Sequence, residues 1–348
     1  MKVYCTLPFT RMKINSDGEY HSCCHQNIHY GNIITEDITI KEAFDKDIIK
    51  DIQNSILGNN LHDACNTPRC PFYSKRNELD TLFMNDVEYT DQPIDFELSL
   101  PSSHCNIGGT DPTPDTACPM CPRASVSFIE HEPSIDLIEI VLDKLKPIMN
   151  KVKILNIQGI AEPFWKGKVF EILNKLDFKK YRNVIHFWSF TNGTVFGDKI
   201  QDKFIEMVGF ASLGFSIDAA TPETYIKVRK LNYFKTIERN LKKYFEKTKN
   251  LKNENGWLHS FTTYNINMIN VHEMEQMVRW SHGIGADRTE FTLTFISAPE
   301  IPIGTENICN KDNWHIFWEG QQRAMHVAKE LNYSVTFYVP FHGGFLNN

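Results

Sequence analysis

A chain of 348 residues, 41% apolar and 12% aromatic, has ample material for a packed core, and its length suggests one large domain or two. Its 37 Lys+Arg against 43 Asp+Glu give a net charge of −6, without the basic bias that marks a nucleic-acid partner. No apolar run approaches the ~18–20 residues that span a bilayer, and the first residues lack a secretion-signal pattern, so a soluble cytoplasmic protein with no membrane partner is expected.

Residues 1–92 read as a small, irregular, cysteine-rich α+β domain with its connector. Within it, 36–57 space their apolar side chains as one amphipathic helix. The mixed, acidic stretch 77–93 ends at Pro93 as a linker. From 93 to 348 the pattern alternates. Strands are predicted at 95–100, 152–158, 184–190, 212–217, 258–269 and 289–296, with a last one at 334–340. Helices are predicted between them at 134–149, 166–176, 198–208, 222–249 and 272–283, and again at 313–332. The 222–249 helix opens on Thr221-Pro222-Glu223, a capping threonine followed by proline in the first turn. Six β-then-α units argue an α/β fold with a parallel sheet, as a partial (β/α)6 barrel or an open sheet. Either way, ligands sit at the carboxyl ends of the strands.

Nine cysteines in a long chain, an odd number, do not read as a disulfide scaffold. Three of them, Cys105, Cys118 and Cys121, lie on the loop after the first predicted strand. Three thiolates leave one metal position open, and all-sulfur ligation suits zinc or an iron–sulfur cluster. The next strand ends carry further groups. Gly159 and Glu162 follow the second, Thr191 and Asn192 the third, and Ser216 and Asp218 the fourth, with Arg229 on the helix beyond. His104 adjoins the first of these cysteines. The aromatic run 184–190 reads as core packing.

Together these motifs resemble the radical S-adenosylmethionine (radical SAM) superfamily over about 93–300. The resemblance implies a [4Fe–4S] cluster on Cys105, Cys118 and Cys121, with SAM chelating its remaining iron. It implies that Glu162, in QGIAEPF, meets the methionyl amino group, and that Ser216 and Arg229 hold the ribose and carboxylate of SAM. Gly159, Thr191, Asn192 and Asp218 would complete the cofactor pocket. The cysteine spacing here is C-x12-C-x2-C where the family usually has C-x3-C-x2-C, and the extra residues read as a turn-rich loop extension.

Residues Cys5, Gly18, Cys23, Cys65 and Cys70 are similar in spacing to the SPASM or twitch auxiliary-cluster module, placed here before the radical domain. That likeness implies a second iron–sulfur cluster on Cys5, Cys23, Cys65 and Cys70, and structural zinc remains an alternative at these residues. The family's activity would be reductive cleavage of SAM to a 5′-deoxyadenosyl radical, fed by a reductase, flavodoxin or ferredoxin, followed by hydrogen abstraction from a substrate C–H bond. The expected outcome is oxidation or cross-linking of a peptide or protein side chain. Dehydrogenation or epimerisation of a small sugar- or cyclitol-like substrate, or a non-catalytic zinc scaffold, are the alternatives. Cys309, in a polar segment after the sixth strand, is a candidate hydrogen donor.

Overall fold

The computed structural model describes residues 2–23, 28–67, 70, 72–73, 76–79, 82, 85–87, 89–101, 104–108, 116–121, 123, 136–253, 256–293, 308, 313–338, 340–341 and 344–345. In the amino-terminal region, β1 (Lys2–Val3) is followed by α1 (Leu7–Thr10), β2 (Arg11–Ile14), β3 (Glu19–His21), β4 (Gly31–Asn32), α2 (Ile40–Phe44), α3 (Asp47–Leu57) and β5 (Asn85–Asp86). Strands β1 and β5 pair as an antiparallel ribbon. The alternating part contains β6 (Asp95–Leu100), α4 (Asp136–Leu145), β7 (Ile154–Gly159), α5 (Lys168–Lys175), β8 (His186–Thr191) and α6 (Asp198–Met207). It continues with β9 (Ala211–Ser216), α7 (Pro222–Arg229), α8 (Phe234–Thr248), β10 (Lys252–Asn253) and β11 (Gly256–Ile266). Then come α9 (Met274–Ile284), β12 (Arg288–Leu293), α10 (Trp314–Glu330) and β13 (Ser334–Tyr338).

One mixed sheet runs in the order β13-β12-β11-β9-β8-β7-β6-β2-β3-β4, with β10 paired to β11 off this path. From β6 to β13, leaving aside β10, which pairs antiparallel with β11, each strand is parallel to the next in sequence. Neighbours in space that follow chain order build a barrel-like sheet, because a doubly wound sheet reverses its order at a switch point. The α/β architecture with sequential parallel strands therefore agrees with the expectation.

The amino-terminal segment differs from its reading as irregular. Strand β2 joins the main sheet in parallel with β6, pairing Arg11 with Asp95 and Lys13 with Glu97. The period of two explains the placement. Met12 and Ile14 are fully buried in the core, while Arg11 and Lys13 lie on the other face against the buried Glu97, with Lys13 Nζ 3.1 Å from its carboxylate. Antiparallel β3 and β4 then extend the edge.

Two predicted helices are broken. The stretch 36–57 forms α2 and α3, with a capping box in which Glu42 N donates to Thr39 Oγ1 and Thr39 N donates to the Glu42 carboxylate. Lys46 leaves helical geometry between them, pairs with Glu36 and lies over the Tyr20 ring. The stretch 222–249 forms α7 and α8. Lys230 takes the left-handed conformation at φ +60° and its N–H closes α7 on Ile226 O at 3.0 Å. That break leaves Arg229 at the end of α7.

The helix side of the sheet holds the core. Phe196 is central there, with Phe164, Tyr244 and Phe215 ring centroids at 4.9, 5.0 and 5.4 Å in edge-on contact. Among the described residues, no helix is long and apolar enough to cross a membrane.

Candidate functional site

At the carboxyl ends of β7, β8 and β9 lies a cavity of about 300 Å³. Cys105, Cys118 and Cys121 line it together with Gly159, Thr191, Asn192, Ser216 and Arg229. Residues from four separate loops and strand ends thus reach one space. Gln158, Phe190 and Asn265 line it as well.

Burial pushes the Cys121 thiol up to about 11, opposed by the Arg123 amide and raised further by the two other cysteines. Burial also raises Cys105, which receives the Ile107 N–H and feels the Arg123 guanidinium. Arg123 is buried and donates from Nη1 to Ile107 O at 2.9 Å, which stiffens this loop. Arg229 Nη1 lies 3.9 Å from Cys118 Sγ. Among the described residues, no three His, Cys, Asp or Glu side chains are placed to hold a single metal ion. The thiols stand around a space. Three thiols on one cavity, with backbone N–H groups directed at Cys105 and Cys121, are a donor set that fits an iron–sulfur cluster or zinc.

Gly159 sits at φ +137°, and a Cβ there would lie 2.6 Å from Leu100 O. The close pairing of β6 and β7 therefore demands this glycine as much as the cavity does. Glu162 does not line the cavity. Its carboxylate is fully buried behind the wall and accepts from Thr191 Oγ1 at 2.7 Å, Asn192 N at 2.6 Å and Phe164 N at 3.2 Å. Burial lifts it to about 7 against these hydrogen bonds. Glu162 thereby holds two residues that do line the cavity. Asn192 is fixed further by Asn106, to which its Nδ2 donates at 2.9 Å, and by Thr194 N at 3.0 Å.

Asp218 is likewise fully buried and off the cavity surface. It forms an ion pair with Arg229, and its Oδ1 accepts from Asn265 N at 2.7 Å and Asn265 Nδ2 at 3.2 Å. Burial pushes the Asp218 carboxyl up and Arg229 pulls it back. On Arg229, burial works against the charge, but Asp218 and Cys118 outweigh it and raise its pKa, so the guanidinium stays protonated. Arg229 also donates to Ser216 O at 2.9 Å, and Ser216 Oγ accepts from Thr263 Oγ1 at 3.2 Å.

In the amino-terminal region, Cys65 and Cys70 lie close enough to Cys5 to raise it, and Cys65 likewise raises Cys70. Burial pushes Cys5 up to about 12. It also raises Cys70, whose sulfur receives the Phe72 amide. Tyr4 packs edge-on against Phe72 at 5.0 Å and donates to Asn60 O at 2.8 Å. Cys23 is half-buried beyond the end of β3. Cys24, Cys309 and the middle of the extended cysteine loop (109–115) lie outside the described residues.

Sequence reasoning missed Gln158, Phe190 and Asn265. The alternation in 184–190 held the signal for Phe190. Phe187 is core, whereas His186, Trp188 and Phe190 are half-buried on the opposite face, so the run is not packing alone. His104 is a positioning group, since its Nε2 donates to Trp165 O at 2.8 Å and its carbonyl accepts from Glu162 N at 2.9 Å.

No family model matches the sequence, and no curated protein matches it. The fold is similar to Streptococcus suis SuiB bound to precursor peptide SuiA, at TM-score 0.50 and 13% identity over 72% of this chain and 49% of that one. SuiB bound to S-adenosylmethionine gives TM-score 0.49 at 13% identity, over 86% of this chain and 63% of that one. A radical SAM methyltransferase from Sphaerobacter thermophilus gives 0.45 at 13% identity, over 68% and 63%. The chain spans about half the length of the peptide-bound SuiB structure. Its fold is similar to that of SuiB.

Proposed function

We propose that this chain is a radical SAM enzyme acting on a peptide or protein side chain. The observation that carries this reading is the convergence of Cys105, Cys118 and Cys121 with Arg229 and the polar ends of three strands on one cavity. Cys105, Cys118 and Cys121 would hold the [4Fe–4S] cluster. A cluster and SAM held there would supply, with one electron from a flavodoxin- or ferredoxin-type donor, reductive cleavage of SAM and the power to abstract a hydrogen atom from a substrate C–H bond.

The chain's own residues bind and orient. Arg229, held charged by Asp218, is the cation for the SAM carboxylate, and Ser216 and Asn265 offer polar atoms beside it. Thr191 and Asn192 present fixed polar groups because Glu162 anchors both from behind. Glu162 thus contributes by orientation, and a direct contact with SAM would require its carboxylate to reach past these two residues. Met120, Ile107 and Ile160 give the cavity apolar walls. Cys5, Cys23, Cys65 and Cys70 are the proposed ligands of an auxiliary iron–sulfur cluster.

The peptide assignment is supported by the likeness in fold to SuiB, whose structure holds a precursor peptide. Iron, sulfide and zinc counts on anaerobically purified full chain test the cluster reading. About eight irons and eight sulfides per chain are expected for two four-iron clusters. Stoichiometric zinc without sulfide would replace this reading with a zinc scaffold.

A further inference from the structure

The polar side chains lining the cavity are almost all occupied within the chain. Thr191 donates to Glu162, Asn192 to Asn106, and Arg229 is paired with Asp218. Asn265 donates to Asp218 and accepts from Thr292, and Ser216 accepts from Thr263. Gln158 is different. It lines the same cavity at the end of β7, and among the described residues its side chain has no hydrogen-bond partner. Its terminal amide therefore presents two donors and an acceptor to whatever enters.

Beside it stands a flat apolar wall. Phe190, at the end of the neighbouring strand, also lines the cavity. Its ring rests on Gly214, where an added Cβ would lie 2.5 Å from the ring, and Phe261 meets it edge-on at 6.0 Å and 88°. The ring is thus locked. Arg229, the one cation on the described cavity lining, is assigned above to the cofactor carboxylate, so the recognition capacity left for a substrate is neutral and planar. An amide matches it. It offers one donor and one acceptor in a single plane, complementary to the Gln158 amide, and an apolar face to the Phe190 ring.

We propose that Gln158 is a substrate-binding residue that hydrogen-bonds an amide group of the substrate against the Phe190 ring. The inference rests on the peptide reading above and deepens it, assigning the contact to a backbone or side-chain amide.

The test is ligand-observed saturation-transfer NMR on the full chain purified anaerobically, with and without SAM. The probes are N-acetylglycinamide, which carries two amides, and myo-inositol, which carries none. N-acetylglycinamide is expected to give a saturable signal on the order of millimolar affinity. Gln158→Leu and the near-isosteric Gln158→Glu are expected to weaken it about tenfold or more while SAM affinity stays within about twofold. Three results overturn the proposal: no amide signal, an undiminished amide signal in both variants, or myo-inositol binding in place of the amide. A tenfold loss of SAM affinity in Gln158→Leu also overturns it and assigns the residue to the cofactor. Failure of the wild-type chain to bind SAM would count against the radical SAM reading, and the amide titration without SAM would be read separately.

Discussion

Cys105, Cys118 and Cys121 come from 17 consecutive residues after one strand, whereas Cys5, Cys65 and Cys70 are gathered from separate stretches of the amino-terminal region. The first set is encoded by a loop and flanked by guanidinium groups, Arg229 at Cys118 and Arg123 near Cys105. The second depends on tertiary packing, and burial, with Cys65 and Cys70 adding to it, pushes Cys5 up to about 12. Binding iron requires thiolates, so the two sets should load under different conditions and fail for different reasons. A local site survives damage to distant packing, and a packed site does not.

Replacing Cys5, Cys65 and Cys70 together by Ala is the strongest way to separate the two regions. The variant should lose about half of its iron and still convert SAM to 5′-deoxyadenosine with dithionite. Loss of all iron would show that the two sites are not independent.

Arg229→Leu should produce the next largest effect. It leaves the fully buried Asp218 carboxylate without its cation, a change of about 3–5 kcal/mol in denaturant-induced unfolding. Adding Asp218→Asn should recover much of that loss, since the orphaned charge is then gone. No recovery would mean that the pair is not the coupled element described here.

Glu162 gives a pH signature confined to the cavity region. Its folded carboxyl lies near 7 against an ordinary 4.5, so between those values the folded protein keeps a proton that the unfolded chain has released. The group's contribution is complete below about pH 4.5 and is lost as pH rises through 7. The amount is about 3 kcal/mol. Relative to wild type, Glu162→Gln should therefore show a flatter decline in stability from pH 5 to 8. Parallel unfolding curves across that range would place Glu162 outside this environment.

The edge region should respond least. Lys13→Ala removes one cation from Glu97 but leaves Arg11 in place, so about 1 kcal/mol or less is expected. A change above about 3 kcal/mol would mean that β2 contributes more to the sheet than its four residues suggest.

The sequence made the α/β class and the strand ends legible because long alternating β and α segments repeat one signal many times. It hid β2, whose Met12 and Ile14 carry the whole pattern in four residues. Helix breaks at Lys46 and Lys230 were also hidden, since neither residue is glycine or proline and each is set by local conformation and contacts. At the cavity, the thiols, Thr191, Asn192, Ser216 and Arg229 could be found because they follow predicted strands. Which carboxylates face the cavity could not. Glu162 and Asp218 occupy equivalent motif positions, yet both turn behind the wall to neighbours that only the folded chain supplies. Gln158 and Phe190 escaped notice because an amide and an aromatic at strand ends are ordinary residues until their partners, or the lack of them, are known.

Cys105, Cys118 and Cys121 are the proposed site of SAM cleavage, and 5′-deoxyadenosine formation by their triple Ala variant tests it. Anaerobically reconstituted wild type with dithionite should release 5′-deoxyadenosine and methionine from SAM. The variant should release neither while retaining about four irons on the amino-terminal cysteines. Continued 5′-deoxyadenosine formation by the variant would place SAM cleavage away from these three cysteines.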